Sequence, residues 1–180
     1  VYHDVAQRVM ITVTPEVLRT TAPKPVNVVT KADFRGHWTD IQVTSLLAKV
    51  LLENEALEEG YDDAVFERDG IVTEGTASNV FLVSEGIIKT PSKSNHLLHG
   101  ITRDLVIRLA EEAGMPLSEC ELVEADVLEA DEVWLTSTGL EVSPVGAVNG
   151  QTVGNGQAGV MWLAMDQIFQ NKKAEFRAAG

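Results

Sequence analysis

A carboxylate and two groups of hydrogen-bond donors occur where predicted strands end or a predicted helix begins. Glu74 comes at the end of a predicted strand and is followed by small residues as far as Ser78 and Asn79. A carboxylate at such a position could accept a hydrogen bond from a protonated ring nitrogen, and small side chains would let a flat ring approach the backbone. On its own, Glu74 is better explained as a solvated strand-end residue before a glycine turn.

Two further segments carry donors suited to an anion. Gly100-Ile101-Thr102 opens a predicted helix, where free backbone N–H groups and the positive end of the helix dipole attract negative charge. Residues 136–139 place three hydroxyls and a glycine directly after a predicted strand. Taken singly, Thr102 could be a helix N-cap and the hydroxyl run a turn. Together with Glu74, these segments indicate a phosphorylated heterocycle as the ligand.

Composition excludes several other classes of partner. The sequence has 14 basic and 27 acidic residues, and its net charge of -13 would repel the phosphates of a nucleic acid. No apolar run approaches the roughly 20 residues that span a bilayer. The single Cys120 cannot form an internal disulfide, so we expect a reducing, cytoplasmic location. His96 and His99 lie three apart, but the spacing of the histidines does not indicate a metal site.

The hydrophobic pattern predicts the strands and helices that position these segments. Turns are expected at Asp69-Gly70, Ser84-Glu85-Gly86 and Asn149-Gly150, where the residue types tolerate positive φ. Strands are predicted at residues 9–13, 26–30, 64–67, 71–73, 80–83, 87–89, 133–136, 142–148 and 151–153. Helices are predicted over 43–59 and 100–113, each followed by a glycine, and at the C-terminal end of the chain. The core face of that last helix is predicted to comprise Met161, Trp162, Met165, Ile168 and Phe169.

Four short motifs occur in a fixed order along the chain. They are Asp40-Ile41 with Leu46-Leu47, Thr73-Glu74-Gly75 with Ser78-Asn79-Val80-Phe81, Gly100-Ile101-Thr102-Arg103-Asp104, and Thr136-Ser137-Thr138 with Glu141, Val142 and Pro144. This pattern resembles the class IV (fold type IV) pyridoxal-phosphate enzymes and is most similar to the D-amino-acid aminotransferases. The resemblance covers about residues 26–176. Branched-chain aminotransferases and aminodeoxychorismate lyases share much of the pattern, so the subfamily stays open.

The resemblance implies an α/β (α+β) fold, namely the C-terminal domain of fold type IV enzymes, a pseudo-barrel of strands flanked by helices. It divides the chain into a remnant of the N-terminal α+β domain at 1–17, a linker at 18–25 and the cofactor-binding domain at 26–180. Pro23 and Pro25 favour the linker, because proline lacks a donor and biases its predecessor away from helix. The chain starts with Val1, so we expect a fragment, and we expect residues to be missing between Arg8 and Val9.

The resemblance also implies a role for each matched residue, with pyridoxal 5′-phosphate as the cofactor. Glu74 matches the carboxylate that pairs with the pyridine nitrogen and keeps it protonated, which lets the ring accept electrons. Ser78 and Asn79 match small polar residues near the ring. The positions that match donors to the cofactor phosphate are Ile101, Thr102, Ser137 and Thr138.

One position departs from the family pattern. In the family a lysine follows the Asp-Ile pair, forms the Schiff base with the cofactor and then moves the substrate proton. Here that position is Gln42, and a primary amide is neither nucleophilic nor basic near neutral pH. The nearest lysines are Lys31, in the preceding strand region, and Lys49, which we expect to lie off the helix face of Gln42. Neither is an evident substitute.

Two hypotheses follow from the resemblance. The first is transamination between a D-amino acid, such as D-alanine, and a 2-oxo acid, with turnover severely impaired by Gln42. The second is a non-catalytic descendant that binds a phosphorylated ligand, so that the cofactor is held without a covalent bond or is absent. A glutamine introduced deliberately or by a sequence error is a third explanation of residue 42. The family further implies a homodimer, for which His37 and Trp38 are candidate interface residues.

Overall fold

A mixed sheet of nine strands frames the part of the chain that the computed structural model describes, which comprises residues 8–14, 19 and 21–179. The strands are β1 (Val26–Ala32), β2 (Asp63–Arg68), β3 (Ile71–Gly75), β4 (Asn79–Ser84), β5 (Ile87–Pro91), β6 (Leu117–Cys120), β7 (Glu132–Ser137), β8 (Glu141–Val148) and β9 (Gln151–Thr152). The helices are α1 (Leu47–Glu58), α2 (Ile101–Glu112), α3 (Glu124–Leu128) and α4 (Val160–Ala179).

The sheet curls until its two end strands are linked. Its order is β3-β2-β1-β8-β7-β4-β5-β6, with β9 paired to β8. β1 runs parallel to both of its neighbours, β2 and β8. Beyond β6, the Leu122 carbonyl accepts a hydrogen bond of 2.8 Å from the Val72 N–H of β3, and Val123 forms a bridge with Ile71. The predicted pseudo-barrel of strands flanked by helices is therefore confirmed.

Alternation of side chains along the strands divides the core into two layers. On β4, Val80 and Leu82 pack in a cluster drawn from six strands and α3. Phe81 points to the opposite face and stacks against Trp134 of β7, with ring centroids 6.3 Å apart. Trp162 of α4 is fully buried in this second cluster. The C-terminal helix thus packs by its predicted core face, as its buried aromatic and methionine side chains indicate.

Most of the predicted elements and all three predicted turns are confirmed. Asp69 and Gly70 have φ values of +52° and +83°, and Asn149 and Gly150 have +53° and +76°, as two-residue hairpin turns require. Glu85 and Gly86 also have positive φ. The chemistry of these turns is local, so it can be inferred from neighbouring residues alone.

Two predictions about the elements were wrong, and two short elements were missed. Residues 9–13 do not form a strand, and Val9 is 82% exposed, because this segment has no strand partner among the described residues. Helix α1 begins at Leu47 rather than near 43, after a turn in which the Leu46 N–H donates to the Thr44 carbonyl. The short elements β6 and α3 were not predicted.

The predicted division into domains stays a prediction. Residues 1–7, 15–18, 20 and 180 lie outside the described part, so the predicted N-terminal remnant is only partly covered. Residues 21–25 carry neither helix nor strand. None of the helices in the described ranges is both long enough and apolar enough to cross a membrane.

Candidate active site

A cavity of 590 Å³ opens where β3 and β7 end and α2 begins. The structure brings every site residue predicted from the sequence to the lining of this one cavity. They are Gln42, Glu74, Ser78, Asn79, Ile101, Thr102, Ser137 and Thr138. Residues far apart in the chain therefore converge at one edge of the sheet, beside the start of α1.

Glu74 presents a buried carboxylate to the cavity. It is only 2% exposed, and donors occupy both of its oxygens. Oε1 accepts a hydrogen bond of 2.5 Å from Arg35 Nη1, and Oε2 accepts one of 2.8 Å from the Leu98 N–H. A carboxylate has about four acceptor sites, so Glu74 can accept a further hydrogen bond from a ligand while these two contacts hold it in place.

Arg35 links Glu74 to a second buried carboxylate and was not predicted from the sequence. Its Nε and Nη2 donate to the two oxygens of Asp33 at 2.8 and 2.9 Å, and its guanidinium lies 4.5 Å from the centroid of the Phe66 ring. Burial by itself raises the pKa of Asp33, but hydrogen bonds and charge from Arg35, with the charge of Arg68, outweigh it and hold that pKa below its usual value. The only sequence signal was the Asp-x-Arg spacing directly after β1.

The loop that carries Ser78 is fixed by a buried aspartate on β2. Asp63 accepts a hydrogen bond of 2.6 Å from Thr76 Oγ1 and a longer one of 3.3 Å from Ser78 Oγ. Burial raises the pKa of Asp63 despite these hydrogen bonds. A Cβ added at Gly75 would lie 2.1 Å from Ser78 Oγ, so a larger residue there would displace the Ser78 side chain from Asp63.

The first turn of α2 offers unused donors to the cavity. Ile101 and Thr102 occupy its first two positions, and the leading N–H groups of a helix have no partner within the helix. The helix runs for 12 residues, so its dipole adds positive potential at this end. Asn79 Nδ2 donates to the Leu98 carbonyl at 2.8 Å, and a Cβ on Gly100 would lie 2.1 Å from Asn79 Oδ1. Asn79 thus positions the chain that leads into α2.

A hydroxyl group at the end of β7 is buried without a hydrogen-bond partner. Thr136 is 1% exposed, and its Oγ1 has no partner among the described residues although the residue lines the cavity. Ser137 Oγ accepts a hydrogen bond of 3.0 Å from the Leu140 N–H and keeps its own proton available for donation. Leaving a buried hydroxyl unpaired costs roughly 1–3 kcal/mol, so the unpaired Thr136 hydroxyl indicates a missing acceptor.

Glu141 anchors the end of this hydroxyl-bearing loop to α4. Its carboxylate accepts hydrogen bonds from Lys173 Nζ and from Gln170 Nε2, at 2.5 and 2.7 Å, and lies 3.2 Å from Arg19 Nε. Burial raises the pKa of Glu141, but the hydrogen bonds from Lys173 and Gln170 and the charge of Arg19 outweigh it, so that the pKa is lowered. The loop between β7 and β8 is therefore held by charges on a separate element.

The structure corrects the expectation for Lys49. Gln42 lies in the irregular segment before α1, so the helical spacing between the two residues does not apply. Lys49 lines the same cavity as Gln42, and its Nζ lies 3.8 Å from Glu74 Oε1. Leu46, Lys49, Val50 and Glu53 form one stripe of α1 and its cap along the cavity wall. That helical spacing was the signal that could have identified Lys49.

Comparison with protein families accounts for this arrangement. The family model described as amino-transferase class IV matches residues 3–148, most of the chain. The chain belongs to the class IV aminotransferase family. The resemblance stated from the motifs is confirmed, and the eight predicted site residues all fall within the matched range.

Two curated relatives that match this chain are both D-alanine aminotransferases. A D-alanine aminotransferase from Bacillus licheniformis is 38% identical over 167 residues, which cover 88% of this chain and 59% of that protein. A D-alanine aminotransferase from Listeria monocytogenes is 35% identical over 142 residues, covering 79% of this chain and 49% of that protein. The chain thus spans about half the length of the curated class IV aminotransferases that it matches.

Solved structures of class IV aminotransferases share the fold. The branched-chain amino acid aminotransferase of Escherichia coli superposes with a TM-score of 0.73 at 28% identity, covering 83% of this chain and 51% of that one. The relatives in sequence are thus named for D-alanine, and the neighbour in structure is named for branched-chain amino acids.

Proposed function

We propose that this chain is a class IV aminotransferase scaffold that binds pyridoxal 5′-phosphate and exchanges an amino group between a D-amino acid and a 2-oxo acid. One observation carries the proposal: a buried carboxylate and two segments suited to an anion line the same cavity, in a chain of this family. Solved structures of two similar branched-chain aminotransferases hold this cofactor or its pyridoxamine form, which supports the choice of ligand.

The residues present fit this cofactor. Glu74 would accept from the protonated ring nitrogen, and Ser78 would border the ring. Ile101 and Thr102 would hold the phosphate together with Ser137 and Thr138, the residues flanking the unpaired hydroxyl of Thr136. Oxygens of a phosphate are the acceptors that such N–H and hydroxyl donors lack.

The residues of this chain supply one part of the chemistry of transamination and lack another. When bound, pyridoxal phosphate supplies an electron sink for the electrons released at the substrate α-carbon. Glu74, fixed by Arg35 and the Leu98 N–H, would hold the ring nitrogen in its protonated form. Gln42 lies in the cavity but can neither bond covalently to an aldehyde nor accept a proton. That residue favours a second candidate function, a scaffold that binds the cofactor without turning over.

Substrate stereochemistry and assembly belong to the proposal as well. The D-amino acid is supported by the names of the relatives at 35–38% identity, and a branched-chain substrate is the alternative supported by the structural neighbours. A homodimer is supported by the exposure of large apolar side chains around α1, since Trp38 is 70% exposed and Leu47 71%. Light scattering on the purified protein measures the assembly directly.

Binding of pyridoxamine 5′-phosphate tests the cofactor site without requiring a lysine. Isothermal titration should give saturable binding to the unmodified protein, and Glu74→Gln should weaken it about tenfold or more, because a hydrogen bond to a charged group is lost. Glu53→Gln is the matched control, since Glu53 lines the same cavity from the exposed face of α1. Absence of binding, or equal affinity in the Glu74 and Glu53 variants, would refute the site.

Turnover separates the two candidate functions. The protein loaded with pyridoxamine 5′-phosphate is mixed with pyruvate or with a branched-chain 2-oxo acid, and the amino acid produced is resolved by chiral chromatography. Formation of D-alanine supports the D-amino-acid enzyme, and an L-branched-chain product supports the alternative. Binding without any product from either acid, restored by Gln42→Lys, supports the non-catalytic scaffold.

A further inference from the structure

We propose that Lys49 is the amine of this site, and that its Nζ, in place of residue 42, forms the covalent bond to the cofactor aldehyde. The inference rests on the proposed function, since it presupposes that pyridoxal phosphate enters the cavity. It goes beyond that function by assigning the nucleophile to a helix residue seven positions after the one where the family pattern has its lysine.

Position is the first argument for Lys49. Its Nζ lies 3.8 Å from Glu74 Oε1, inside the cavity that also holds Gln42 and the first turn of α2. The side chain is 24% exposed, so it is partly withdrawn from solvent and yet open to a ligand. The other wall residues of α1, such as Val50 and Glu53, offer no amine.

The other lysines are placed elsewhere. Among the described residues, Lys49 is the one lysine that lines this cavity. Lys31 donates to Glu59 at 2.6 Å, on the side of β1 that faces the end of α1. Lys93 donates to Asp104 at 2.8 Å on an exposed surface. An aldehyde held in the cavity therefore shares it with a single lysine amine. Because the aldehyde is para to the ring nitrogen that Glu74 would hold, Nζ must move away from Glu74 to reach it.

Lys49 can leave Glu74 at little cost. A separation of 3.8 Å is an ion pair rather than a hydrogen bond. Both oxygens of Glu74 already accept hydrogen bonds from Arg35 and from the Leu98 N–H, so departure of Lys49 leaves no carboxylate oxygen unpaired. The flexible four-carbon stem of lysine then lets Nζ swing across the cavity.

The bond formation balances without any further reactant. Nζ in its neutral form attacks the aldehyde carbon, and the new carbon–nitrogen single bond becomes a double bond as the carbonyl oxygen leaves in a water molecule with two protons from nitrogen. Borohydride then reduces this double bond by adding hydride to the carbon, while solvent supplies a proton to the nitrogen. The product is a stable label whose position can be mapped.

Peptide mapping of that label tests the proposal on the intact protein. Stoichiometric pyridoxal 5′-phosphate and borohydride should place one label on the peptide that contains Lys49, and an excess of pyridoxamine 5′-phosphate should prevent it. Lys49→Arg keeps the positive charge beside Glu74 but should lose the label. Lys31→Arg is the matched control and should retain it, because Lys31 is likewise paired with a glutamate outside the cavity.

A rescue variant shows that loss of the label in Lys49→Arg reflects the missing amine. Adding Gln42→Lys to Lys49→Arg should restore a single label, now at position 42, if the cavity is intact. Label on another lysine, or scattered labels while pyridoxamine 5′-phosphate still binds, would overturn the assignment of Lys49 and leave the proposed cofactor site standing. Failure of pyridoxamine 5′-phosphate to bind at all would overturn both.

Discussion

Replacing Arg35 by methionine should expose how strongly the site depends on one buried cation. Arg35 is 7% exposed at its side chain and bridges Asp33 and Glu74, which are 0% and 3% exposed. Removing one partner of a buried ion pair costs about 3–5 kcal/mol, because the other charge is left uncompensated. Arg68 still lies 3.0 Å from Asp33, and Lys49 still lies 3.8 Å from Glu74, so we expect a loss of about 3 kcal/mol at pH 7.

The loss should depend on pH with a definite sign. In the unmodified protein the pKa of Asp33 is lowered, so its contribution to stability is present above the unfolded pKa of about 3.9 and disappears as the pH falls through the folded value. In Arg35→Met the burial of Asp33 is offset only by Arg68, so the pKa of Asp33 rises and its protonation at low pH removes the uncompensated charge. The difference in unfolding free energy between the two proteins should therefore shrink from pH 7 to pH 4.

Chemical unfolding followed by tryptophan fluorescence measures both quantities, since Trp134 and Trp162 are buried. The double variant Asp33→Asn with Arg35→Met is the control, and it should recover part of the loss because one buried charge has been removed with its partner. A cost below about 1 kcal/mol for Arg35→Met, or an equal cost at both pH values, would refute the assignment of Arg35 as the compensating charge.

Three further variants probe the cavity wall and the anchor of the loop between β7 and β8. Gly100→Ala brings a Cβ to 2.1 Å from Asn79 Oδ1, so it should lower the unfolding free energy by about 1–3 kcal/mol and weaken binding of pyridoxamine 5′-phosphate. Gly36→Ala is the control and should do neither, because a Cβ there has nothing within 4 Å. Thr136→Val removes an unpaired buried hydroxyl, so thermal unfolding should show unchanged or higher stability while calorimetry shows weaker ligand binding. Glu141→Gln should lower the free energy of unfolding by about 2 kcal/mol at pH 7 and by less at pH 4. The pKa of Glu141 is lowered in the folded protein, so the stability that its charged form contributes is lost as the pH falls. Urea unfolding at both pH values checks the sign.

The parts of the site that sequence could predict are those with local signatures. Glu74, Thr102 and Ser137 stand in motifs whose order along the chain is specific, and the structure brings them to one cavity. Arg35 and Lys49 were not predicted as site residues because each contacts Glu74, which is distant from it in the sequence. The interpretation of Lys49 assumed that Gln42 belongs to α1, whereas the helix begins only at Leu47.

The elements that were missed have weak intrinsic signals. β6 spans Leu117–Cys120 and is defined by its parallel pairing with β5 rather than by an alternation of buried and exposed residues. α3 has five residues and begins where the Val123 N–H donates to Asp126. Elements this short depend on tertiary partners, so hydrophobic periodicity does not identify them.

The position of β1 between two parallel neighbours has a consequence for the order in which the chain acquires its structure. Val29 pairs with Ala64, but Val26 pairs with Val145, so one flank of β1 stays open until β8 has emerged from the ribosome. During that interval the strand exposes unpaired N–H and C=O groups, which can pair with a strand of another nascent chain and so lead to aggregation. Closing so long a connection is slow, and association between chains rises with their concentration. The yield of native protein should therefore fall at higher expression levels.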